Sequence, residues 1–287
     1  MAFEFDRRGE PVSRAARRIA GHLLRQAATQ LSAQPAPGIH EARKSIKKTR
    51  AILRLVRDSF DDFDETNTAL RDIGRSIATS REAEVLPLTV AALGAGASET
   101  VRQAMARLVA DATADPAASP ASFSDPAGRL ADLSGEASGW SIKAKGFGAI
   151  EDGLAEAWSR AIRAGRRSLR SDDPAALHEW RKRVKDHWYH ARLLTPIWPA
   201  AMEVHATAVG IVGERLGDCQ DIEVLLDRLS RSDLPPDTAD AVRAHARGRI
   251  DKHEDAARNL ADRIFCEDAE ALVARWRRWW RLWQSNR

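Results

Sequence analysis

The chain has 287 residues, a formal net charge of +4, 44% hydrophobic residues and 30% charged residues. This length is enough to bury a sizeable core in one or two domains. Aromatic residues make up only 6% of the chain and include a single tyrosine, while alanine, leucine, arginine and acidic residues are abundant, which favours an all-α fold. No apolar run reaches about 18 residues, which argues against a transmembrane segment.

The N-terminal residues and the two cysteines favour a cytoplasmic protein. The first residues, MAFEFDRRGEPVSR, lack the apolar core of a secretory signal. Cys219 and Cys266 are single and far apart, and this spacing suggests neither a disulfide framework nor a zinc site. We therefore expect a cytoplasmic location, no bound metal and no cofactor.

The first half of the chain, 1–115, contains four helical patterns. Apolar periodicity and the breaks between patterns predict helices over Ser13–Ser32, Pro37–Phe60, Thr66–Leu93 and Glu99–Ala114. Pro87 is expected to kink or break the third of these helices.

A linker is predicted between the halves, over residues 116–146, because Ala, Ser, Pro, Gly and Asp dominate there. A short helix near Pro126–Leu133 interrupts it. In the second half, 147–287, Asp172, Asp173 and Pro174 form a strong helix start signal. The other helices of that half are predicted over Phe147–Leu169, Pro199–Ser230 and Asp237–Ile264.

One stretch of sixteen residues occurs twice, as HEARKSIKKTRAILRL from His40 to Leu55 and as HEWRKRVKDHWYHARL from His178 to Leu193. At a constant offset of 138, seven of the sixteen positions are identical, and six of these seven are polar. Shared apolar residues are common between unrelated helices because any core accepts them, whereas shared His, Arg and Lys residues carry more information. We interpret the pair as a duplicated binding surface.

Both copies, drawn as helices, have one apolar face and one basic face. The basic row of the first copy runs about 21 Å from His40 to Arg54. The first copy, extended to Arg57, has a net charge of +6 and the second copy +3, which leaves −5 on the rest of the chain. Such a row suits an extended polyanion. The candidate binding residues are His40, Arg43, Lys44, Lys47, Arg50 and Arg54 in the first copy, and His178, Arg181, Lys182, Lys185 and Arg192 in the second.

A second pair of segments, Ile73–Leu86 and Val212–Leu225, matches at an offset of 139. Two repeated segments in the same order indicate duplication of a whole four-helix unit. The helices that precede the two motifs add further basic candidates, which are Arg18, His22, Arg25, Arg160 and Arg163.

The chain ends in RWRRWWRLWQSNR, where four tryptophans recur at helical spacing and the arginines lie mainly on the other side. An apolar stripe at this spacing usually packs on a core, so we expect the terminal helix to close the end of the second bundle. Contact with a lipid interface or with a granule surface is the alternative.

The repeated His-Glu-x-Arg-Lys-x-x-Lys pattern, together with the segments SREAEV and CQDIEV, resembles the CHAD family, the conserved histidine α-helical domain. The resemblance covers about Ser13–Arg263. It implies an all-α fold of two four-helix bundles related by a pseudo-twofold axis, to which this chain adds a Trp/Arg-rich C-terminal helix. It also implies that inorganic polyphosphate binds to His40, Arg43, Lys44, Lys47 and Arg54 in the first copy and to His178, Arg181, Lys182, Lys185 and Arg192 in the second. Association with polyphosphate granules is a further implication of the resemblance.

One departure from the family concerns the end of the third helix. The family often has Arg-Asp there, whereas this chain has Arg81-Glu82 in the first half and Gln220-Asp221 in the second. We therefore do not expect a phosphate contact from this position in the second half.

We expect a non-enzymatic protein that binds polyphosphate, and other polyanions by the same electrostatics, between its two halves. Nucleic-acid binding is one alternative, although no recognised motif is present and aromatic residues are mostly absent from the basic faces. Metal-dependent hydrolysis of phosphoanhydrides is another, although the basic faces carry almost no carboxylates that could hold a metal.

The histidines of the motifs allow two interpretations. His40 and His178 either contact phosphate or form hydrogen bonds within the bundle, and protonation would strengthen anion binding. His187 and His190 are spaced for one helix face and raise the possibility of a metal site. No recognised ligand spacing accompanies them, so a packed His187 is the simpler interpretation.

Overall fold

Helix-forming composition leads to helices throughout the part of the chain that the structure describes. This computed structural model describes residues 3–33, 35–77, 82–114, 124–171 and 173–285. The predicted all-α class is confirmed, and none of the described helices is long and apolar enough to cross a bilayer. The helices are α1 (Val12–Ala33), α2 (Pro35–Leu55), α3 (Phe63–Ser76), α4 (Glu82–Leu93), α5 (Glu99–Ala114), α6 (Ser124–Glu136), α7 (Glu151–Ser168), α8 (Pro174–Leu193), α9 (Pro199–Ser230), α10 (Pro236–Ile264) and α11 (Ala269–Ser285).

Prolines and a capping aspartate mark the helix starts as predicted. Asp173 accepts a hydrogen bond from the Ala175 backbone N–H at 2.8 Å, and Pro174 follows it in the first turn of α8. Pro87, in contrast, lies inside α4 and does not break it. The third predicted helix is divided between Ser76 and Glu82, and residues 78–81 lie outside the described residues.

The segment predicted as a linker, 116–146, is described from residue 124 onward and contributes to the core. Its helix α6 packs along α1, where the Ser134 hydroxyl donates a hydrogen bond to the Gly21 carbonyl at 2.8 Å. Leu130 of α6 is fully buried in the same core. The short helix expected near Pro126–Leu133 is therefore a packed element. Residues 116–123 lie outside the described residues.

The two halves of the chain meet in two separate regions. In one, α2 packs on α7 and α8, and in the other, α4 and α5 pack on α9 and α10. Each region has a hydrophobic cluster with members from both halves: Ile52 and Trp158 share the first, and Leu86 and Leu225 share the second. The halves thus bury their apolar faces against each other as well as within themselves.

The contact of α2 with α7 and α8 is close and carries buried polar groups. The His190 Nε2–H of α8 donates a hydrogen bond to the Ala51 carbonyl of α2 at 3.0 Å. Burial lowers the pKa of His190 to about 4, so the imidazole is neutral at pH 7 and can donate through one nitrogen. Arg54 of α2 forms an ion pair with Asp186 of α8 at 2.8 Å. Together these groups determine where the two motif copies cross.

The terminal helix α11 packs on α7 through its tryptophans, as expected for an apolar stripe. Trp276 is fully buried and Trp280 nearly so. Trp158 of α7 fixes the preceding turn, because its indole N–H donates a hydrogen bond to the Glu267 carbonyl at 3.0 Å. The terminal helix therefore closes one side of the core that contains α7.

The approach of α7 to α2 requires a glycine. A Cβ placed on Gly153 would lie 2.3 Å from the Leu55 carbonyl oxygen, far inside van der Waals contact. We expect Gly153→Ala to lower the free energy of unfolding by about 1–3 kcal/mol, the range for overpacking. Gly128→Ala in α6 is the matched control, because its Cβ would meet nothing within 4 Å. Denaturant titration compares the variants, and equal midpoints would contradict the proposed constraint.

Candidate functional site

Side chains from the basic face of α8 lie against a row of glycines on α9. Because glycine has no Cβ, the long side chains can lie along the α9 backbone with their aliphatic parts buried. A Cβ on Gly210 would lie 3.1 Å from the Trp188 side chain, and one on Gly217 would lie 3.1 Å from the Arg181 side chain. A Cβ on Gly213 would lie 2.8 Å from the Lys185 side chain.

Lys185 is held over an aromatic ring. Its Nζ lies 3.4 Å from the centroid of the Trp188 ring, and the Arg192 guanidinium lies 4.9 Å from the same centroid. Cation–π attraction holds both cations in place without neutralising them. Burial, and then the charge of Arg181, lowers the pKa of Lys185 to about 8, with Lys47 and Arg192 adding to the effect and Glu214 opposing it.

The first motif copy contributes lysines to the same place. Lys47 of α2 is near enough to Lys185 of α8 to lower the pKa of Lys185. The pKa of Lys48 is also lowered, mainly by burial and then by the charge of Arg192. The two copies therefore face each other across a concentration of positive charge. We call this group the lysine cluster, and it consists of Lys47, Lys48, Arg181, Lys185 and Arg192.

A neutral side chain supports the edge of the lysine cluster. The Gln220 amide oxygen of α9 accepts a hydrogen bond from Arg181 at 3.4 Å, and the Gln220 side chain also hydrogen-bonds His178. Burial lowers the pKa of His178, so its imidazole is neutral at pH 7 and would charge only in more acidic solution. His178 thus orients the edge of the cluster at neutral pH, while His40 of α2 lies exposed to solvent.

Two lysines beside the cluster are paired within their own helices. Lys44 lies 3.5 Å from Glu41, and Lys182 lies 2.5 Å from Glu179. Both lysines are about half exposed, and exposed pairs of this kind exchange readily with solvent or with another anion. Arg43 is partly buried on the same face of α2.

Arg50 and Arg54 point away from the lysine cluster into a separate cavity of about 330 Å³. We call it the arginine cavity. It lies between α2, α3, α7 and α8, and its lining includes Arg160 of α7. Three acidic side chains partly neutralise it, and one of them, Asp186, binds Arg54. The continuous basic row expected along α2 is thus divided between two environments.

The remaining predicted binding residues lie on α1 and α7 and mostly have acidic partners. The Arg18 guanidinium binds Glu10 at 2.6 Å and Asp6 at 2.9 Å, which raises its pKa. Arg163 binds Glu156 at 3.2 Å. On α1, burial lowers the pKa of His22, with the nearby Arg25 adding to the effect, and Arg25 itself is exposed. The structure does not bring Arg18 into the lysine cluster.

His187 and His190, considered as metal ligands, are packed in the core. The Nε2 atoms of His187 and His205 are 2.8 Å apart, and Trp158 and Trp276 surround the pair. Burial lowers the pKa of His205 to about 4, with Arg275 adding to the effect, so the pair holds a shared neutral hydrogen bond at pH 7. Within the described residues, no group of three or more His, Cys, Asp or Glu side chains is arranged to hold a metal ion.

Several residues of the site were not predicted from the sequence. Lys48 and Trp188 are absent from the candidate binding residues. Gln220 was considered only as a phosphate contact, and its hydrogen bond with Arg181 was not predicted. The glycine row is visible in the sequence as GIVGERLG, Gly210 to Gly217, because glycines three and four positions apart share a helix face. That spacing could have identified the surface of α9 on which α8 lies.

Comparison with known proteins identifies the family. The model of the CHAD domain matches residues 14–230. The chain belongs to the CHAD family. Among solved structures, this CHAD protein is similar to PptA from Streptomyces chartreusis, with a TM-score of 0.54 and 14% sequence identity, over 87% of this chain and 98% of that one. At that identity the likeness supports the fold. No curated protein matches this CHAD chain significantly.

The glycine at 213 is predicted to control the charge state of Lys185. In Gly213→Ala the new Cβ would lie 2.8 Å from the Lys185 Cδ, so the flexible side chain must leave the groove. We expect the pKa of Lys185 to rise from about 8 toward that of a solvated lysine, because burial is the main cause of its shift. NMR titration of labelled lysines measures the change, with Gly248→Ala, which meets nothing within 4 Å, as the control. An unchanged titration would show that the groove does not set this pKa.

Proposed function

We propose that this CHAD protein binds inorganic polyphosphate, with the lysine cluster at the centre of the site, and that it does so without hydrolysing the polymer. The observation that carries the proposal is the state of Lys185, whose pKa is lowered to about 8 by burial and by cations from both motif copies. A phosphate chain would supply the negative charge that this environment lacks. Membership of the CHAD family supports the same ligand.

The chemistry of the cluster suits a flexible polyanion. Arginine provides forked hydrogen bonds to phosphate oxygens, and lysine provides a compact charge. Each contact is modest, so affinity comes from several contacts along the chain and depends steeply on salt. His40, Arg43, Lys44, His178 and Lys182 lie along the same helices and would extend the contact beyond the cluster.

We also propose that the halves arose by duplication of a four-helix unit and are related by a pseudo-twofold axis. Equivalent helices have equivalent neighbours: α1 packs on α2 as α7 packs on α8, and α6 packs on α1 as α11 packs on α7. In this arrangement the lysine cluster joins the halves, so neither half alone contains the site. A cytoplasmic location on polyphosphate granules is part of the same proposal.

Nucleic-acid binding is less well supported. Trp188 and Tyr189 are the aromatic residues in the basic region of α8. Lys185 and Arg192 already lie over the Trp188 ring, and Tyr189 is buried. A base therefore has no open aromatic face to stack on there. Competition experiments separate the ligands, because polyphosphate should displace nucleic acid far more readily than the reverse. Phosphate release with added magnesium or manganese tests the proposal that there is no turnover.

Removing the central lysines should weaken polyphosphate binding. We expect the double variant Lys47→Gln and Lys185→Gln to lose at least tenfold in affinity for long-chain polyphosphate. The slope of log affinity against log salt should fall by about 1.4, the value for two contacts to a single strand. Fluorescence anisotropy at several salt concentrations measures both. The double variant Lys143→Gln and Lys252→Gln is the control, because it removes the same charge from exposed positions elsewhere. Equal losses of polyphosphate affinity in the two double variants would reject the site.

Binding should also depend on pH through Lys185. Its ammonium is charged below a pKa of about 8 and loses the proton above it, and a bound anion would raise that pKa. Affinity should therefore fall as the pH rises above 8, by at most about tenfold per pH unit. Lys185→Arg should remove this dependence, because the guanidinium stays charged. A wild-type affinity that is constant from pH 7 to about 9.5 would exclude Lys185 as a contact.

A further inference from the structure

The arginine cavity has a composition different from that of the lysine cluster. Its cationic side chains are all arginines: Arg50, Arg54, Arg57, Arg160 and Arg183. It is a bounded space of about 330 Å³ between four helices. Arginine is the residue best suited to planar, two-pronged recognition of phosphate or carboxylate oxygens.

Three carboxylates around the cavity neutralise only some of these arginines. Asp186 binds both Arg54, at 2.8 Å, and Arg183, at 3.3 Å, and Glu156 binds Arg160 at 2.6 Å. With Asp64, the lining has five arginines and three carboxylates. Two carboxylates outside the lining also pair with its arginines, since Glu179 binds Arg183 at 2.5 Å and Asp58 lies 3.7 Å from Arg57. Of the five arginines, Arg50 is the one that forms no ion pair among the described residues.

Arg50 is the cation whose charge is least compensated. Its Nε–H donates a hydrogen bond to the neutral amide oxygen of Asn67 at 2.9 Å, and it forms no ion pair with a carboxylate among the described residues. Burial lowers the pKa of Arg50 to about 10, with Arg54 adding to the effect and Asp186 opposing it. A partly buried cation without an ion pair of its own is costly, and a bound anion would relieve that cost.

We propose that the arginine cavity is a second anion site, separate from the lysine cluster, which takes a compact phosphate anion of about the size of pyrophosphate at Arg50. Phosphate oxygens match the fork of the Arg50 guanidinium, and the anion would supply the negative partner that Arg50 does not find among the described residues. The carboxylates of Asp64, Glu156 and Asp186 limit the charge of the anion that can bind. They repel a long polyanion, which brings more negative charge than the cavity can balance. The anion is either free pyrophosphate or the end of a longer chain.

Isothermal titration with pyrophosphate tests the site through opposite effects of two variants. Arg50→Gln should weaken pyrophosphate binding at least tenfold and should weaken long-chain polyphosphate less than Lys185→Gln does. Lys185→Gln, in contrast, should weaken the binding of long-chain polyphosphate more than the binding of pyrophosphate.

A second variant distinguishes loss of the binding site from misfolding. Asn67→Asp keeps the shape of the side chain and gives Arg50 a carboxylate partner, so it should abolish pyrophosphate binding with unfolding stability equal to or above that of the wild type. Equal pyrophosphate affinity in the wild type, Arg50→Gln and Asn67→Asp would overturn the proposal. The proposal would also be overturned if Lys185→Gln were the only one of these variants to lose pyrophosphate binding.

The source of the anion is distinguished by chain length. Titrations with chains of defined length, compared at equal concentrations of chain ends, should show the Arg50→Gln loss for every length if the cavity takes a chain end. The loss should be confined to pyrophosphate if it takes the free anion. Pyrophosphate binding without any long-chain binding would leave this inference standing and reject the proposed function of the lysine cluster.

Discussion

The contact of α2 with α8, reinforced by α7, is the constraint on which the rest of the site depends. A neutral, fully buried His190 donates a hydrogen bond to the Ala51 carbonyl, and Gly153 lets α7 touch the α2 backbone. Because these groups are buried, their polar atoms must remain paired or the helices must separate. The crossing therefore fixes how far the basic faces of the two motif copies lie from each other.

The same crossing divides the basic residues into two chemically different groups. On one side Lys185 and Arg192 lie over Trp188, and neither forms an ion pair with a carboxylate among the described residues, although Glu214 lies near enough to raise the pKa of Lys185. On the other side Asp186 binds Arg54 and draws its side chain toward α8. A cation–π contact positions a cation without neutralising it, so the cation can still bind an anion. In a partly buried ion pair the cation is neutralised, and the pair holds the two helices together. One helix can thus serve both binding and structure.

Periodicity was sufficient to predict most helices and the apolar face of each motif, because a period of 3.6 residues leaves little ambiguity over twenty residues. It could not predict where Arg50 and Arg54 point. A helical wheel shows that they share a face with Lys47, but the neighbour on that side is α8, whose Asp186 replaces the basic Lys48 of the first copy. Composition likewise did not predict that α6 packs in the core, since a segment rich in small residues can still bury Leu130.

The two motif copies differ at positions that line the lysine cluster and the arginine cavity. At the positions of Arg50 and Lys48 in the first copy, the second has Trp188 and Asp186. The tryptophan holds cations in the lysine cluster, and the aspartate neutralises cations in the arginine cavity. Two identical copies would place uncompensated charge on both sides of the crossing and would repel each other across it. The exchange of one basic residue for an aromatic and another for an acid therefore places a carboxylate in the arginine cavity and an aromatic ring under the cations of the lysine cluster.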